Sequence, residues 1–335
     1  MHEKEFELTS TIDFVITKYL DSIKLDRSEH TVRAYKNALN VFRSVLIKEL
    51  KNPQTTSIEK LTEGDALPFV VCLNDFAPAT EKLYLQAVKG LYEYVNAEGF
   101  ADINMLRLRN VIRQRARHSR FRTPKLAVDD IERLLAYVAD AQNLQTSGDA
   151  NEILRVIRDR AFLLTLADTG LRVQEACKLR RGDVDWEAGT LFIDGDDKQA
   201  AVRFSSRSMK AIKDYLSLRA QLDGGSGKQL AALPLFARHD KGAGKKIKPI
   251  TPTTGRNIVA ERVGEILGKD AVGKITPHSF RHYFVTTILR ASGNLKLAQE
   301  LARHSNIQVT QRYAHLSDDE LDIGYYDTFE HKDKE

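Results

Sequence analysis

The stretch Thr169-Gly170-Leu171-Arg172-Val173-Gln174-Glu175 follows helical apolar periodicity running from Ile153 to Leu166, and sets an arginine just beyond it. Downstream come Pro277-His278-Ser279-Phe280-Arg281-His282, then His304, then Tyr313 nine residues later. Two guanidiniums, two imidazoles and a tyrosine make a set suited to attack on a phosphodiester. Arginine serves the non-bridging oxygens best, because its planar fork is always charged and bonds two oxygens at once. Arg172 and Arg281 are the candidates. The leaving 5′ oxygen needs a proton, which a lysine on a hairpin turn can bring, and Lys198 ends such a turn. A tyrosine hydroxyl, with an ordinary pKa of about 10, needs a histidine nearby to take or polarise its proton. Chemistry of this kind has no need of a metal, a nucleotide or a serine triad, so no cofactor is expected.

Taken one at a time, each residue has a plainer explanation. An arginine after Thr-Gly-Leu can simply bond helix C-terminal carbonyls, and Tyr313 can be a half-buried packing residue. Lysines in turns are usually solvated, and Lys178 and Lys210 compete with Lys198. His278 and His282 have the four-residue spacing of a zinc pair. Only His304 or His315 offers a close third ligand and no acid is suitably spaced, so no metal site is expected.

Outward from this set, the chain reads as mainly α, with a small β-hairpin or sheet. From Thr11 to Phe100 the pattern is helical: Val32, Tyr35, Leu39, Phe42 and Leu46 step by three and four, with Ser28 as a cap. Tyr84, Val88, Leu91 and Val95 repeat the spacing between Pro78 and Gly99. A bundle of four or five helices is expected over residues 1–104. Residues 105–125 read as a basic connector, residues 126–317 as a second domain and residues 318–335 as a polar tail that docks elsewhere or frays. In the second domain Ile131, Leu134, Leu135 and Val138 mark a helix, and Gly189–Ile193 and Ala200–Phe204 mark two strands around an acidic turn. Leu222–Lys248, rich in Gly, Lys and Ala, reads as an irregular insertion. Thr276-Pro277 starts a helix that carries His278 and Arg281 and ends at Gly293.

A length of 335 residues suits two domains, and 42% apolar with 29% charged residues is an ordinary globular composition that excludes disorder. No apolar stretch has bilayer-crossing length, the first residues lack a signal-peptide core, and Cys72 and Cys177 are too few for a disulfide framework. A cytoplasmic location follows as an expectation, nucleoid-associated if the source is bacterial. The net charge is only +5, yet residues 101–125 hold eight cations against the single acid Asp102. Arg107, Arg109, Arg113, Arg115, Arg117, Arg120 and Arg122 therefore suit a segment tracking a phosphate backbone, although a solvated charge run has the same composition.

The three motifs, extended by Leu301-Ala302-Arg303-His304-Ser305-Asn306-Ile307-Gln308-Val309-Thr310-Gln311-Arg312-Tyr313-Ala314-His315-Leu316, resemble the tyrosine recombinase (phage-integrase type) family, in its XerC/XerD-like branch. Ser28 to Lys36 and Pro78-Ala79-Thr80 resemble the helices of that family's core-binding domain, so the likeness covers about residues 11 to 317. It implies a C-shaped clamp on duplex DNA, made of a helical SAM-like core-binding domain and a catalytic domain. Arg172 and Arg281 would hold the scissile phosphate, and His278 and His304 would assist proton transfer and phosphate binding. Lys198 would be the general acid, Tyr313 the nucleophile that joins a 3′ phosphate, and Glu175 a structural support. Four protomers would exchange strands through a Holliday junction, with the tail docking between protomers.

Three departures stand out. Ala302-Arg303-His304 replaces the usual Leu-Gly-His, Phe280 stands where leucine is commoner, and Lys198 sits a few positions from the simplest alignment of the hairpin lysine. The expected activity is site-specific DNA cleavage and rejoining, by a mobile-element integrase or a Xer-type resolvase. Two other readings share these residues: a type IB topoisomerase, disfavoured by the chain's length, and a DNA-binding relic, disfavoured by the complete set. DNA sequence and accessory proteins are not legible.

Overall fold

The computed structural model describes residues 11–115, 128–140, 149–194, 199–240, 242, 246–304 and 310. The chain divides into two compact units, Met1–Phe121 and Arg122–Glu335, and the division falls inside the basic run.

In the first unit five α-helices lie among the described residues: α1 (Ile12–Asp26), α2 (Glu29–Lys48), α3 (Ala66–Cys72), α4 (Pro78–Ala97) and α5 (Met105–Arg115). Ser28 caps α2, its Oγ accepting the Thr31 amide at 3.3 Å. The three-four spacing then turns Tyr35, Leu39, Phe42 and Leu46 into the core. Phe42 meets Phe69 of α3 edge-on, with ring centroids 5.3 Å apart, and Tyr92 of α4 lies against the same ring. Pro78 occupies the first turn of α4, and past its end Gly99 takes φ 68°.

Helix α5 corrects the reading of residues 105–125 as connector over Met105–Arg115. Met105, Leu108 and Ile112 recur at helical spacing between the arginines, and Leu108 is fully buried. Asn104 caps the helix, its Oδ1 accepting the Arg107 amide at 2.9 Å. The composition of the run concealed a helix that packs on α3 and α4.

The second unit contains α6 (Val128–Ala139), α7 (Ala150–Thr169), α8 (Val173–Lys178), α9 (Ser206–Leu218), α10 (Ala220–Gly224), α11 (Pro252–Leu267), α12 (Pro277–Ser292) and α13 (Leu295–Ala302). Strands β1 (Val184–Asp185), β2 (Thr190–Asp194) and β3 (Gln199–Arg203) form one antiparallel sheet in the order β1-β2-β3. β2 pairs with β3 from Thr190↔Arg203 to Asp194↔Gln199, so Leu191, Ile193 and Val202 turn inward while Phe192 and Ala201 face out. Among the described residues the fold is mainly helical with this one small sheet. β1 is too short for alternation to betray it.

Helix α7 is the unit's central element. It contacts α6, α8, α9 and α12 and is buried along most of its length. It also corrects the reading of Leu222–Lys248 as an insertion. Leu233, Leu235, Phe236 and Ala237 are buried, Phe236 meets Phe162 of α7 edge-on at 5.2 Å, and bridges join Arg180 to Pro234 and Ala237 to Pro249. Buried arginines hold this segment: Arg219 donates to the carbonyls of Pro234 at 2.8 Å and Leu235 at 3.1 Å, and Arg158 to that of Ala237 at 3.2 Å. Those charges are paired in turn, Arg219 with Asp223 at 2.8 Å and Arg158 with Asp159 at 2.6 Å. Surrounding Gly, Lys and Ala diluted a five-residue core strip, Leu233 to Ala237. Among the described residues no helix is long and apolar enough to cross a membrane.

Candidate active site

The turn after α7 shows why its sequence is Thr-Gly-Leu-Arg. Thr169 Oγ1 donates to the Thr165 carbonyl at 2.6 Å and accepts the Leu171 amide at 3.3 Å. Gly170 ends the helix at φ 61°, where a Cβ would also sit 2.4 Å from the Phe284 ring, so both backbone and space demand glycine. Leu171 is buried, and the next residue, Arg172, emerges exposed at the entry to α8. Glu175, in the first turn of α8, reaches back to the Arg172 amide at 2.7 Å and to its Nη1 at 2.9 Å.

Helix α12 supplies the second arginine. Its entry is closed by Ser279 Oγ, which accepts the Thr276 amide at 3.1 Å. One turn in, Arg281 is almost wholly buried. Its Nη1 donates to the Gly170 carbonyl at 2.6 Å and its Nη2 to the Ala302 carbonyl. The carbonyl-bonding role considered for Arg172 thus belongs to Arg281. It ties the end of α7 to the end of α13, and so brings the three motifs together.

The end of α13 places His304. Arg303 adopts φ 54°, its amide donating to the Glu300 carbonyl at 3.0 Å, while the His304 amide donates to the Gln299 carbonyl at 3.1 Å. This is the Schellman closure of a helix, normally built on glycine. Gln299 Nε2 donates to the His304 carbonyl at 3.0 Å, and His304 Nδ1 shares a 2.8 Å hydrogen bond with Thr310 Oγ1. Arg303 Nη2 donates to Glu175 Oε2 at 3.0 Å.

The histidines lie among these cations and all bind protons weakly. Burial first, then Arg281, Arg172, His278 and Arg303, push His304 down to about 4. His282, packed edge-on against His278 with centroids 4.2 Å apart, is lowered to about 4 by burial, His278, His304 and Arg281. His278 is lowered by burial, Arg281 and Arg172. At neutral pH the site therefore offers neutral imidazoles beside fixed guanidiniums, able to accept a proton.

Of the predicted site residues, Arg172, Glu175, His278, Arg281 and His304 come together in the second unit. Arg107, Arg109 and Arg113 lie exposed on α5 of the first unit. Lys198, Tyr313, Arg117, Arg120 and Arg122 lie outside the described residues, as does the side chain of Arg115. Sequence reasoning treated Arg303 only as a missing glycine and His282 only as half of a metal pair. An ionisable residue at a position that calls for a left-handed backbone was the available signal.

Residues 125–320 match the model described as the phage integrase family. The chain is 28% identical over 312 residues to tyrosine recombinase XerC of Thermodesulfovibrio yellowstonii, covering 92% of this chain and 93% of the relative. It is 28% identical over 320 residues to tyrosine recombinase XerD of Mycobacterium leprae, covering 91% and 93%. In fold it is similar to the Tn1549 transposon integrase in complex with transposon right end DNA, with TM-score 0.67, 16% identity and coverage of 94% and 99%. It is also similar to the XerH site-specific recombinase bound to palindromic difH substrate, with TM-score 0.63, 20% identity and coverage of 88% and 79%. With a matched region longer than half the chain and a site assembled from the same three motifs, the protein belongs to the phage integrase family of tyrosine recombinases.

Proposed function

We propose that the protein is a site-specific DNA recombinase that cleaves and rejoins DNA through a covalent 3′-phosphotyrosyl link. The observation that carries this is the convergence of two guanidiniums and neutral imidazoles from three distant motifs in the second unit. Tyr313 Oη forms a bond to phosphorus as the bond to the 5′ oxygen breaks, and the 5′ oxygen leaves with a proton from Lys198. A neutral His304 or His278 takes the tyrosine proton. Arg172, exposed beside the site, offers hydrogen bonds to the phosphate, and buried Arg281 adds a fixed positive charge. The 5′ hydroxyl of a partner strand then attacks the phosphotyrosine and releases Tyr313, so bond energy is conserved.

Duplex DNA is the partner, in keeping with the Tn1549 integrase in complex with transposon right end DNA and XerH bound to difH substrate. Both units bind it, and Arg107, Arg109, Arg113, Arg115, Arg117, Arg120 and Arg122 contact its phosphate backbone. Four protomers assemble in the synapse and exchange strands through a Holliday junction, in the cytoplasm, and on the nucleoid if the source is bacterial.

DNA sites recovered from a random library by binding to the protein, then remade with a nick beside the scissile phosphate, test the reading. The expected result is a protease-sensitive covalent adduct with wild type and none with Tyr313→Phe. No adduct on any recovered site sinks the enzymatic reading. An adduct with supercoil relaxation, but no product joined between two sites, transfers the protein to the topoisomerases.

A further inference from the structure

We propose that Arg303 is a positioning residue of this active site, a third guanidinium that clamps Glu175 and, through it, sets the orientation and net charge of Arg172. The inference rests on the recombinase reading above. Position 303 holds arginine in the left-handed region, φ 54°, a conformation that glycine adopts without strain and other residues hold against a cost. The strained position carries a side chain that is used. Arg303 Nη2 reaches Glu175 Oε2 at 3.0 Å, and that same oxygen accepts the Arg172 amide at 2.7 Å. The other oxygen, Oε1, accepts Arg172 Nη1 at 2.9 Å. One carboxylate is thus gripped from the end of α13 and from the entry of α8.

Charge explains what the clamp achieves. Glu175 paired with Arg172 alone would cancel the guanidinium charge that a phosphate needs. A second guanidinium on the same carboxylate leaves the trio with a net positive charge and keeps the Arg172 fork oriented. The Arg303 side chain is 16% exposed, and its Nη1 is sealed from solvent with no acceptor among the described residues. That inner arm is therefore out of reach of a DNA phosphate, which makes the role internal rather than a direct contact.

Single-turnover cleavage and DNA binding by the full chain, on one nicked site, test this. The proteins compared are wild type, Arg303→Gly, Arg303→Lys, Glu175→Gln and the double variant R303G/E175Q. Arg303→Gly should cleave about 10-fold more slowly while Kd stays within about 2-fold, because misplacement at a reacting centre costs rate rather than affinity. Its Tm should shift by no more than about 3 °C, since relief of the left-handed backbone offsets the lost ion pair. Arg303→Lys keeps a charge without the fork and should be intermediate. In the Glu175→Gln background the Arg303→Gly effect should shrink to under about 2-fold, as expected for a residue that acts through its partner. Equal cleavage by wild type and Arg303→Gly overturns the proposal. So does a Kd that rises in step with the lost rate, which would make Arg303 a phosphate contact, and so does an effect undiminished by Glu175→Gln. Absence of any wild-type adduct is a separate result, which removes the recombinase reading and this inference with it.

Discussion

The two units of this chain solve the same packing problem with different materials. The first buries an almost wholly apolar, aromatic-rich core, and among the described residues its buried charged residues are Glu63 and Glu81. The second buries Arg158, Asp159, Arg160, Arg219, Asp223, His239 and Arg281 within or beside its apolar core. Apolar stripes at helical spacing suffice to hold a bundle together, since burial is non-directional. They do not specify where a loop ends or where a side chain points. The second unit uses buried hydrogen-bonded charges for that: Arg219 and Arg158 pin the 233–237 strip, and Arg281 pins two helix ends beside the site. Charge in a core is a weak source of stability and a strong source of geometry.

The sharpest way to break this contrast is at Asp223, which is fully buried against Arg219 and accepts Arg181 Nη1 at 2.7 Å. Asp223→Ala should destabilise the second unit by about 3–5 kcal/mol, because it strands a buried guanidinium. Trp186, the single tryptophan, packs against the second core, so its fluorescence in urea reads that unit's transition alone. A joint Arg219→Met, Asp223→Leu change should recover only part of the loss, because it removes the stranded charge but leaves the Pro234 and Leu235 carbonyls without their donor. Full recovery would show that those bonds do not hold the strip.

A comparable effect separates the two arginines. Arg172→Ala should slow single-turnover cleavage by about 10²–10³-fold with the Trp186 transition unmoved, as for loss of a donor to a transition-state oxygen. Arg281→Ala should lose cleavage and also about 2–4 kcal/mol of stability, because it leaves the Gly170 and Ala302 carbonyls without their donor. Identical stability of the two variants would contradict the division between them.

Acid should act on the second unit through its histidines. Burial and neighbouring guanidiniums lower His239 to about 3 and His282 and His304 to about 4, and lower His278 as well. All lie below the unfolded value of about 6.5, so between about pH 6.5 and 4 the unfolded chain binds more protons. Stability from these groups is fully present above about pH 6.5 and is lost as pH falls toward 4. Trp186-monitored melts across that window should show a falling Tm, and a flat profile would disprove it. The smallest effect belongs to the first unit: Ser28→Ala removes the cap of α2 and should cost about 1 kcal/mol, measured by far-ultraviolet dichroism in urea.

Where the sequence was legible, the information was local. The cap at Ser28, the stripe of α2, the Pro78 start of α4, the paired strands β2 and β3 and the Thr276-Pro277 start of α12 were each readable within one or two turns of chain. The misreadings have one cause. Leu108 in an arginine run and Leu233 to Ala237 in a glycine-lysine stretch are apolar strips diluted by composition, and what buries them lies elsewhere in the chain.

The sequence by itself determined the helical class and the family, and brought forward Arg172, Glu175, His278, Arg281 and His304 as candidates, because capping, periodicity and motif spacing act over a few residues. Only the tertiary structure decided what each arginine does. Arg281 is bound to carbonyls 111 and 21 positions away, and Arg303 reaches a carboxylate 128 positions away. A charged fork has no intrinsic preference between phosphate, carbonyl and carboxylate. The partner that the fold brings within hydrogen-bond reach decides.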